Sequence, residues 1–267
     1  MLLKSNMSCP KLSVTIITLN EERNLRRALA SVEWADEVIV VDSGSTDRTL
    51  EIARELGARV FTQPWPGYGR QKNFAQAQAT HDWVLNIDAD EAVTPALRAE
   101  IQSALADEAD ATARYQGFRI PRLTWFLGRW IWHGGWYPNH LVRLARRSCA
   151  QWTEPHLHEE LKVAGPVGKL REPFHHYSFA SIREQVETNL EYAWQGSQEL
   201  KRRHLAPSVS RLIFKPLGKF LETYLLKRGF MDGLPGLIIS INAAHSMFLK
   251  HAYLWEGKIQ TDAYPHH

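Results

Sequence analysis

At 267 residues, with 44% hydrophobic and 23% charged residues, the chain has the composition of a soluble globular protein long enough for one large domain with an appendage. Two cysteines exclude a disulfide-stapled scaffold and make a reducing compartment the default. The net charge of +3 conceals an asymmetry: eight Lys or Arg against one acid, Glu222, between Lys201 and Arg228 give +7 there and leave −4 over the rest of the chain. A basic, apolar-rich stretch of this kind points to an anionic partner. No nucleic-acid partner is expected.

Residues 1–10 are expected to be disordered, with Met7 a candidate alternative start and no secretory leader. Residues 13–19 (SVTIITL) form a near-continuous β-branched run, the pattern of a central parallel strand. A helix follows over 24–32. Residues 37–41 (EVIVV) are a second buried strand, ending in the turn and cap sequence Asp42-Ser43-Gly44-Ser45-Thr46-Asp47. A helix over 49–56 stops at Gly57. A short strand over 59–62, a helix over 70–79 and a strand over 83–87 come next. Thr94-Pro95 then opens a helix reaching Leu105.

Strands alternating with short helices give a doubly wound α/β unit with a mostly parallel sheet. Ligands of such sheets bind outside the carboxyl ends of the strands. Glu21, Asp42 and the pair Asp88/Asp90 all follow strand ends. Two carboxylates two residues apart raise each other's pKa. Their pairing is explained if a hard divalent cation, Mg²⁺ or Mn²⁺, sits there with a phosphate.

Beyond residue 112 the pattern changes. Strands are expected over 115–123 and 140–145, separated by a Trp- and Gly-rich loop, residues 125–139. Residues 159–163 and 167–170 flank Ala164-Gly165-Pro166, which reads as a hairpin. A long helix covers 181–204. A basic amphipathic helix covers 212–228, with a kink expected at Pro216 and a break over 229–236. The last helix covers 237–253, and its apolar run is too short and interrupted to span a bilayer.

SVTIITLNEERNL, EVIVVDSGSTDRT, GYGRQKNFA and WVLNIDADE resemble the nucleotide-sugar half of family 2 inverting glycosyltransferases, with the GT-A fold. HGGWYPNHLVRL, PHLHEEL, FHHYS and LLKRGFMDGLPG extend the likeness to the bacterial lipopolysaccharide core glucosyltransferase subfamily. The resemblance covers residues 11–255. It implies a nucleotide-sugar-binding half over 11–112, an acceptor half over 113–178 and a C-terminal helical region over 179–267. It also implies transfer with inversion from a UDP-hexose such as UDP-glucose to a glycolipid or oligosaccharide, at the cytoplasmic face of the inner membrane.

Within that resemblance Thr18, Asn20, Glu21 and Asp42 hold base and ribose, Asp42 accepting from the N3–H of uracil. The alternative for Asp42 is a helix cap, the reading favoured for Asp47 and Ser45. Asp90 would hold the metal and Asp88 would lie nearer the ribose. Arg70 and Lys72 would face the phosphates, or else form a solvated helix face. Glu159 is the candidate base and Glu160 the alternative, since adjacent strand residues take opposite faces and only one can aim inward. His176 is a candidate further metal ligand, against an ordinary core or surface histidine; His156 and His158 are weaker candidates. Glu91, Trp136 and Arg143 are candidates for the acceptor side, Arg122 and Arg129 with them. The basic C-terminal helices would meet a membrane surface, or pack as a bundle on the domain.

Three other readings compete. A polyprenyl-phosphate sugar synthase of the same fold would need no general base. The intact acids argue against a catalytically silent assembly partner. A Rossmann dinucleotide module would need a glycine-rich turn where Leu19-Asn20-Glu21-Glu22-Arg23 stands, and is excluded.

Overall fold

Residues 12–18 carry no charge, and β1 (Leu12–Thr18) is buried almost throughout, Ser13 and Thr15 included. The computed structural model describes residues 10–106, 114–154 and 159–256. The chain divides into two compact units, residues 1–123 with 139–178, and residues 124–138 with 179–267.

In the first unit β1 is followed by α1 (Leu25–Ala30), β2 (Glu37–Asp42), α2 (Thr49–Glu55), β3 (Arg59–Thr62), α3 (Tyr68–Ala77) and β4 (Trp83–Asp88). These four strands are parallel, in the order β3-β2-β1-β4. β2 and β4 bury aliphatic side chains on both faces, because helices cover both, whereas the edge strand β3 is only half-buried. Thr18 lies opposite Asp42, and Ile17 opposite Asp88. The strands therefore end on nearly one level, and their terminal polar residues share one edge.

A tight turn joins β4 to β5 (Glu91–Val93), and α4 (Pro95–Ala106) follows. The Thr94 hydroxyl accepts from the Leu97 N–H at 3.0 Å, capping α4 as the Thr-Pro pair predicts. β6 (Gly117–Phe126) enters the second unit with its last three residues, where β7 (Arg129–Ile131) pairs back on it. β8 (Asn139–Arg146) returns, antiparallel to both β4 and β6. β9 (Ala150–Trp152), β10 (Leu161–Val163), β11 (Val167–Lys169) and β12 (Phe174–His176) complete the unit. The main sheet runs β3-β2-β1-β4-β8-β6-β12-β5.

The hairpin expected around Gly165 does not form. β10 pairs with β9, Leu161 opposite Trp152, and β11 pairs parallel to β6. The turn residues are real, with Gly165 at φ +131, but each flanking strand has found a better edge elsewhere.

The second unit contains the β6–β7 hairpin, α5 (Ile182–Arg202), α6 (Val209–Leu221) and α7 (Gly233–Glu256). Phe126, Ile131 and Ile239 form its buried centre, with Trp136, Phe179 and Ile238 packed around them. Buried Asp232 ties the hairpin down: it accepts from the backbone N–H of His133 at 2.7 Å and lies 3.1 Å from His133 Nδ1. Helix α6 runs on through Pro216. The departure from α geometry comes later, as a π-helical turn over Glu222–Leu226.

Candidate active site

At the ends of β1 and β2 the backbone reverses in two loops that brace each other. Asn20 adopts φ +55, a left-handed conformation that asparagine tolerates. Its side-chain carbonyl accepts from Thr46 N–H at 2.8 Å, while its own N–H donates to the Ser45 hydroxyl at 2.8 Å. Glu21 N–H donates to the Thr49 hydroxyl, and its carboxylate accepts from the Asn24 amide at 3.0 Å. Asp47 accepts from the N–H groups of Glu22 and Thr49, a capping role as expected.

Asp42 is fully buried. Its Oδ2 accepts from the N–H groups of Gly44 and Ser45, both at 2.8 Å, and its Oδ1 from the Ser45 hydroxyl. The carboxylate thus organises its own turn, leaving one lone pair on Oδ1. Next to it, Thr18 Oγ1 and Gln71 Oε1 are buried without a protein partner. Both flank Ser43, whose N–H donates to the Thr18 carbonyl and whose hydroxyl accepts from the Gln71 amide. Buried polar atoms normally find partners, and these two stand beside the turn that Asp42 organises.

One rung further along the edge lies an ion cluster. Lys72, on α3, is buried. Its Nζ stands 3.1 Å from Asp88 Oδ1 and 2.8 Å from Glu159 Oε1, over the Trp152 ring. Arg143, on β8, reaches Asp88 Oδ2 at 2.5 Å and Glu91 Oε1 at 3.3 Å. Burial disfavours the Asp88 charge, but Arg143 and Lys72 outweigh it and hold the carboxyl well below its ordinary range. Burial also opposes the Arg143 charge, yet Asp88 and Glu91 raise its proton affinity above that of a free arginine.

Glu91 and Arg143, two residues expected on the acceptor side, prove to be buried and ion-paired. Glu91 is 1% exposed, accepts from Asp88 N–H at 2.9 Å, and faces Arg143 and Arg122. It is an internal counter-ion that shapes the β4–β5 turn. Arg143 is equally buried and serves Asp88 and Glu91. Of the two cations on α3, only Lys72 joins the cluster; Arg70 is exposed and pairs with Glu154 at 2.7 Å.

Asp90 points elsewhere. Its Oδ2 lies 3.1 Å from His176 Nε2, and its carbonyl accepts from Tyr177 N–H at 2.9 Å. The β12–β5 pairing, with His176 opposite Glu91, delivers this histidine. Together Asp90 and His176 would hold a divalent cation, offering it one carboxylate oxygen and one imidazole nitrogen. Among the described residues no group of three His, Cys, Asp or Glu converges on one point. The remaining positions would fall to water and phosphate oxygens, the usual habit of this class of ion. Asp88, engaged on both oxygens by cations, is not a third ligand.

Glu159 and Glu160 take opposite faces. Glu159 turns into the cluster, whereas Glu160 is exposed and pairs with Lys162 at 2.5 Å. His156 and His158 lie outside the described residues. Trp136 belongs to the second unit and packs against Phe126 and Phe179. Arg129 also lies there, 3.8 Å from Asp232. Sequence reasoning passed over Gln71, Trp152 and Asp232. Gln71 and Asp232 both lay within quoted segments, GYGRQKNFA and LLKRGFMDGLPG, whereas Trp152 carried no signal.

Comparison with known proteins bears on this arrangement. A family model described as Glycosyl transferase family 2 matches residues 13–160. An uncharacterised glycosyltransferase of Rickettsia typhi is 34% identical over 261 residues, covering 94% of this chain and 89% of that one. The lipopolysaccharide core biosynthesis glycosyltransferase LpsC of Rhizobium meliloti is 31% identical over 257 residues, covering 92% of each. Among solved structures, glucosyl-3-phosphoglycerate synthase from Mycobacterium tuberculosis in complex with Mn²⁺, UDP and glucosyl-3-phosphoglycerate is 27% identical, covers 45% of each chain and has a TM-score of 0.35. TarS of S. aureus is 17% identical, covering 95% of this chain and 93% of that one, with a TM-score of 0.46. Every carboxylate described above, from Glu21 to Glu159, falls inside the span matched by the family model, and the chain belongs to glycosyl transferase family 2.

Proposed function

We propose that the protein transfers a hexose from a UDP-sugar, such as UDP-glucose, to a hydroxyl of a lipid-linked oligosaccharide, with inversion at the anomeric carbon. The transfer would take place at the cytoplasmic face of the inner membrane, during assembly of the lipopolysaccharide core. The named role of LpsC supports the last element. The observation that carries the chemistry is the division of the β4 edge into two sites. Asp90 and His176 converge 3.1 Å apart, while Asp88 is neutralised by Lys72 and Arg143.

In this reading the uracil edge meets Thr18 and Gln71, with Asp42 holding the turn beneath. Asn20 and Glu21 fix the neighbouring loop against the ribose. A divalent cation held by Asp90 and His176 would neutralise charge on the departing diphosphate. Lys72 is the protein's own cation for that diphosphate. It bridges Asp88 and Glu159 and can exchange a carboxylate for a phosphate oxygen without leaving the cluster. Once Lys72 turns to the phosphates, Glu159 becomes free to take the acceptor proton. Direct attack by that hydroxyl, opposite the leaving group, gives inversion in a single displacement.

A panel of nucleotide sugars with Mg²⁺ or Mn²⁺, scored for slow hydrolysis without acceptor, tests the proposal. Turnover of one UDP-hexose is expected; no turnover with any donor would sink it. The Lys72–Glu159 ion pair also favours a second reading, transfer to a polyprenyl phosphate, in which no base is needed. Full activity of Glu159→Gln with such an acceptor would select it.

A further inference from the structure

An amphipathic helix in a globular protein turns its apolar face inward. Helix α6 does the reverse: none of its residues is buried. On a 3.6-residue period Ile213, Phe214, Leu217 and Leu221 fall on one arc, and all four are exposed, Phe214 at 67%. Arg211, Lys215 and Lys219 fall on the adjoining arc. The half-buried Leu212, Pro216 and Phe220 complete the circumference, and α6 packs against α7.

The exposed apolar surface continues past the helix. The π-helical turn places Leu226 outward at 80% exposure, and Phe230, Met231 and Leu234 follow, each about half exposed or more. Lys227 and Arg228 lie between them. From Arg211 to Arg228 the chain carries five basic residues and one acid, Glu222, which is paired with Lys219 and Lys227.

We propose that α6 and the turn after it form a docking face for an anionic lipid bilayer, lying in the interface with the apolar arc toward the acyl chains. This rests on the lipid-linked acceptor proposed above and names the surface that would bring the enzyme to it. Two features select the occupant. An apolar arc flanked by Lys and Arg is the pattern of an interfacial helix. A second copy of this chain would set five cations against the same five, which like-charge repulsion opposes. No described helix is long and apolar enough to span the bilayer.

The test is flotation of the full chain with phosphatidylcholine vesicles, with and without roughly one third phosphatidylglycerol, enough to give a negative surface potential. The wild type is expected to float with the anionic vesicles, much less with neutral ones, and less at high salt. The double variant Phe214→Asp/Leu226→Asp should lose at least about tenfold in binding to anionic vesicles, from lost apolar insertion. Lys215→Glu/Lys219→Glu should lose a similar factor on anionic vesicles only. Hydrolysis of the nucleotide sugar, measured on the same samples, should stay at the wild-type level in both variants. Wild type and variants floating alike would overturn the docking face. So would a wild type that stays unbound and sediments as a dimer dissociated by Phe214→Asp. Flotation as expected with every donor inert would leave the docking face standing and remove the transferase reading instead.

Discussion

Lys72 Nζ lies 2.8 Å from Glu159 Oε1, joining residues 87 positions apart in sequence. The same nitrogen reaches Asp88 at 3.1 Å, so one ammonium links the strand edge to the candidate base. Lys72→Met should therefore weaken UDP binding by about 10–100-fold, the loss of one charge-assisted hydrogen bond. Calorimetric titration with UDP reads this directly; unchanged affinity would detach Lys72 from the diphosphate.

The two adjacent glutamates should behave differently. Glu159→Gln should slow transfer to a hydroxyl acceptor by roughly 10²–10⁴-fold, the usual worth of a general base. Glu160→Gln, on an exposed residue paired with Lys162, should leave it near wild type. Release of UDP in the presence of acceptor distinguishes them, and equal losses would remove Glu159 from its role.

Asp90 and His176 should act as a unit toward the metal. In a thermal-shift titration with UDP, Mn²⁺ should raise the melting temperature of the wild type, because a ligand bound only by the folded state stabilises it. His176→Ala should weaken the apparent Mn²⁺ affinity by at least about tenfold, the lower end of what even an outer-shell partner costs. Asp90→Ala should abolish the Mn²⁺-dependent shift. An unaltered Mn²⁺ response in both variants would place the ion elsewhere.

Asp88 gives the cluster a pH dependence. Its carboxyl lies well below the ordinary aspartate value of 3.8 in the folded chain, so folding favours the ionised form. The stabilisation is complete above that value and is lost as the pH falls below it. Asp88→Asn leaves Arg143 and Lys72 without their shared anion and should cost about 3 kcal/mol at neutral pH. The variant should then lose less further stability than the wild type between pH 4 and pH 2. Denaturant midpoints across that range measure both effects.

Glu37 stands at the amino end of β2, the opposite end from Asp42. Burial raises its pKa, but the Ser13 hydroxyl, Thr80 N–H, Arg59 and the Thr80 hydroxyl together lower it. Glu37→Gln should destabilise the fold by about 1–3 kcal/mol. UDP affinity should be unchanged, since the strand edge that carries the site is not touched. A parallel loss of UDP binding at a temperature where the variant is folded would contradict this.

The parallel half of the sheet was legible because each strand is a near-continuous aliphatic run closed by turn residues. β5, β9 and β12 were not: three residues have no period, and their pairing is set by partners far along the chain. The same limit applied within the site. Asp88 and Asp90 stood out as a pair, but their separation into an ion-paired residue and a histidine-paired residue depends on β8 and β12, which arrive 55 and 86 positions after them. Glu91 was read as an acceptor-side residue because nothing local announced its pairing with Arg143. In α6 the apolar stripe was plain in the sequence, but which way it faced was not.

Arg122 and Asn139 lie opposite each other on β6 and β8, at the boundary where the chain leaves the first unit and comes back. The excursion over residues 124–138 thus begins and ends on one rung of the sheet. Lengthening such a segment costs little in closure entropy, about 0.6 kcal/mol for each doubling. The ladder below it keeps its register whatever the excursion contains. Related chains can then differ in length and aromatic content over this stretch while the strands below it keep their pairing, so that end of the sheet tolerates change without being rebuilt.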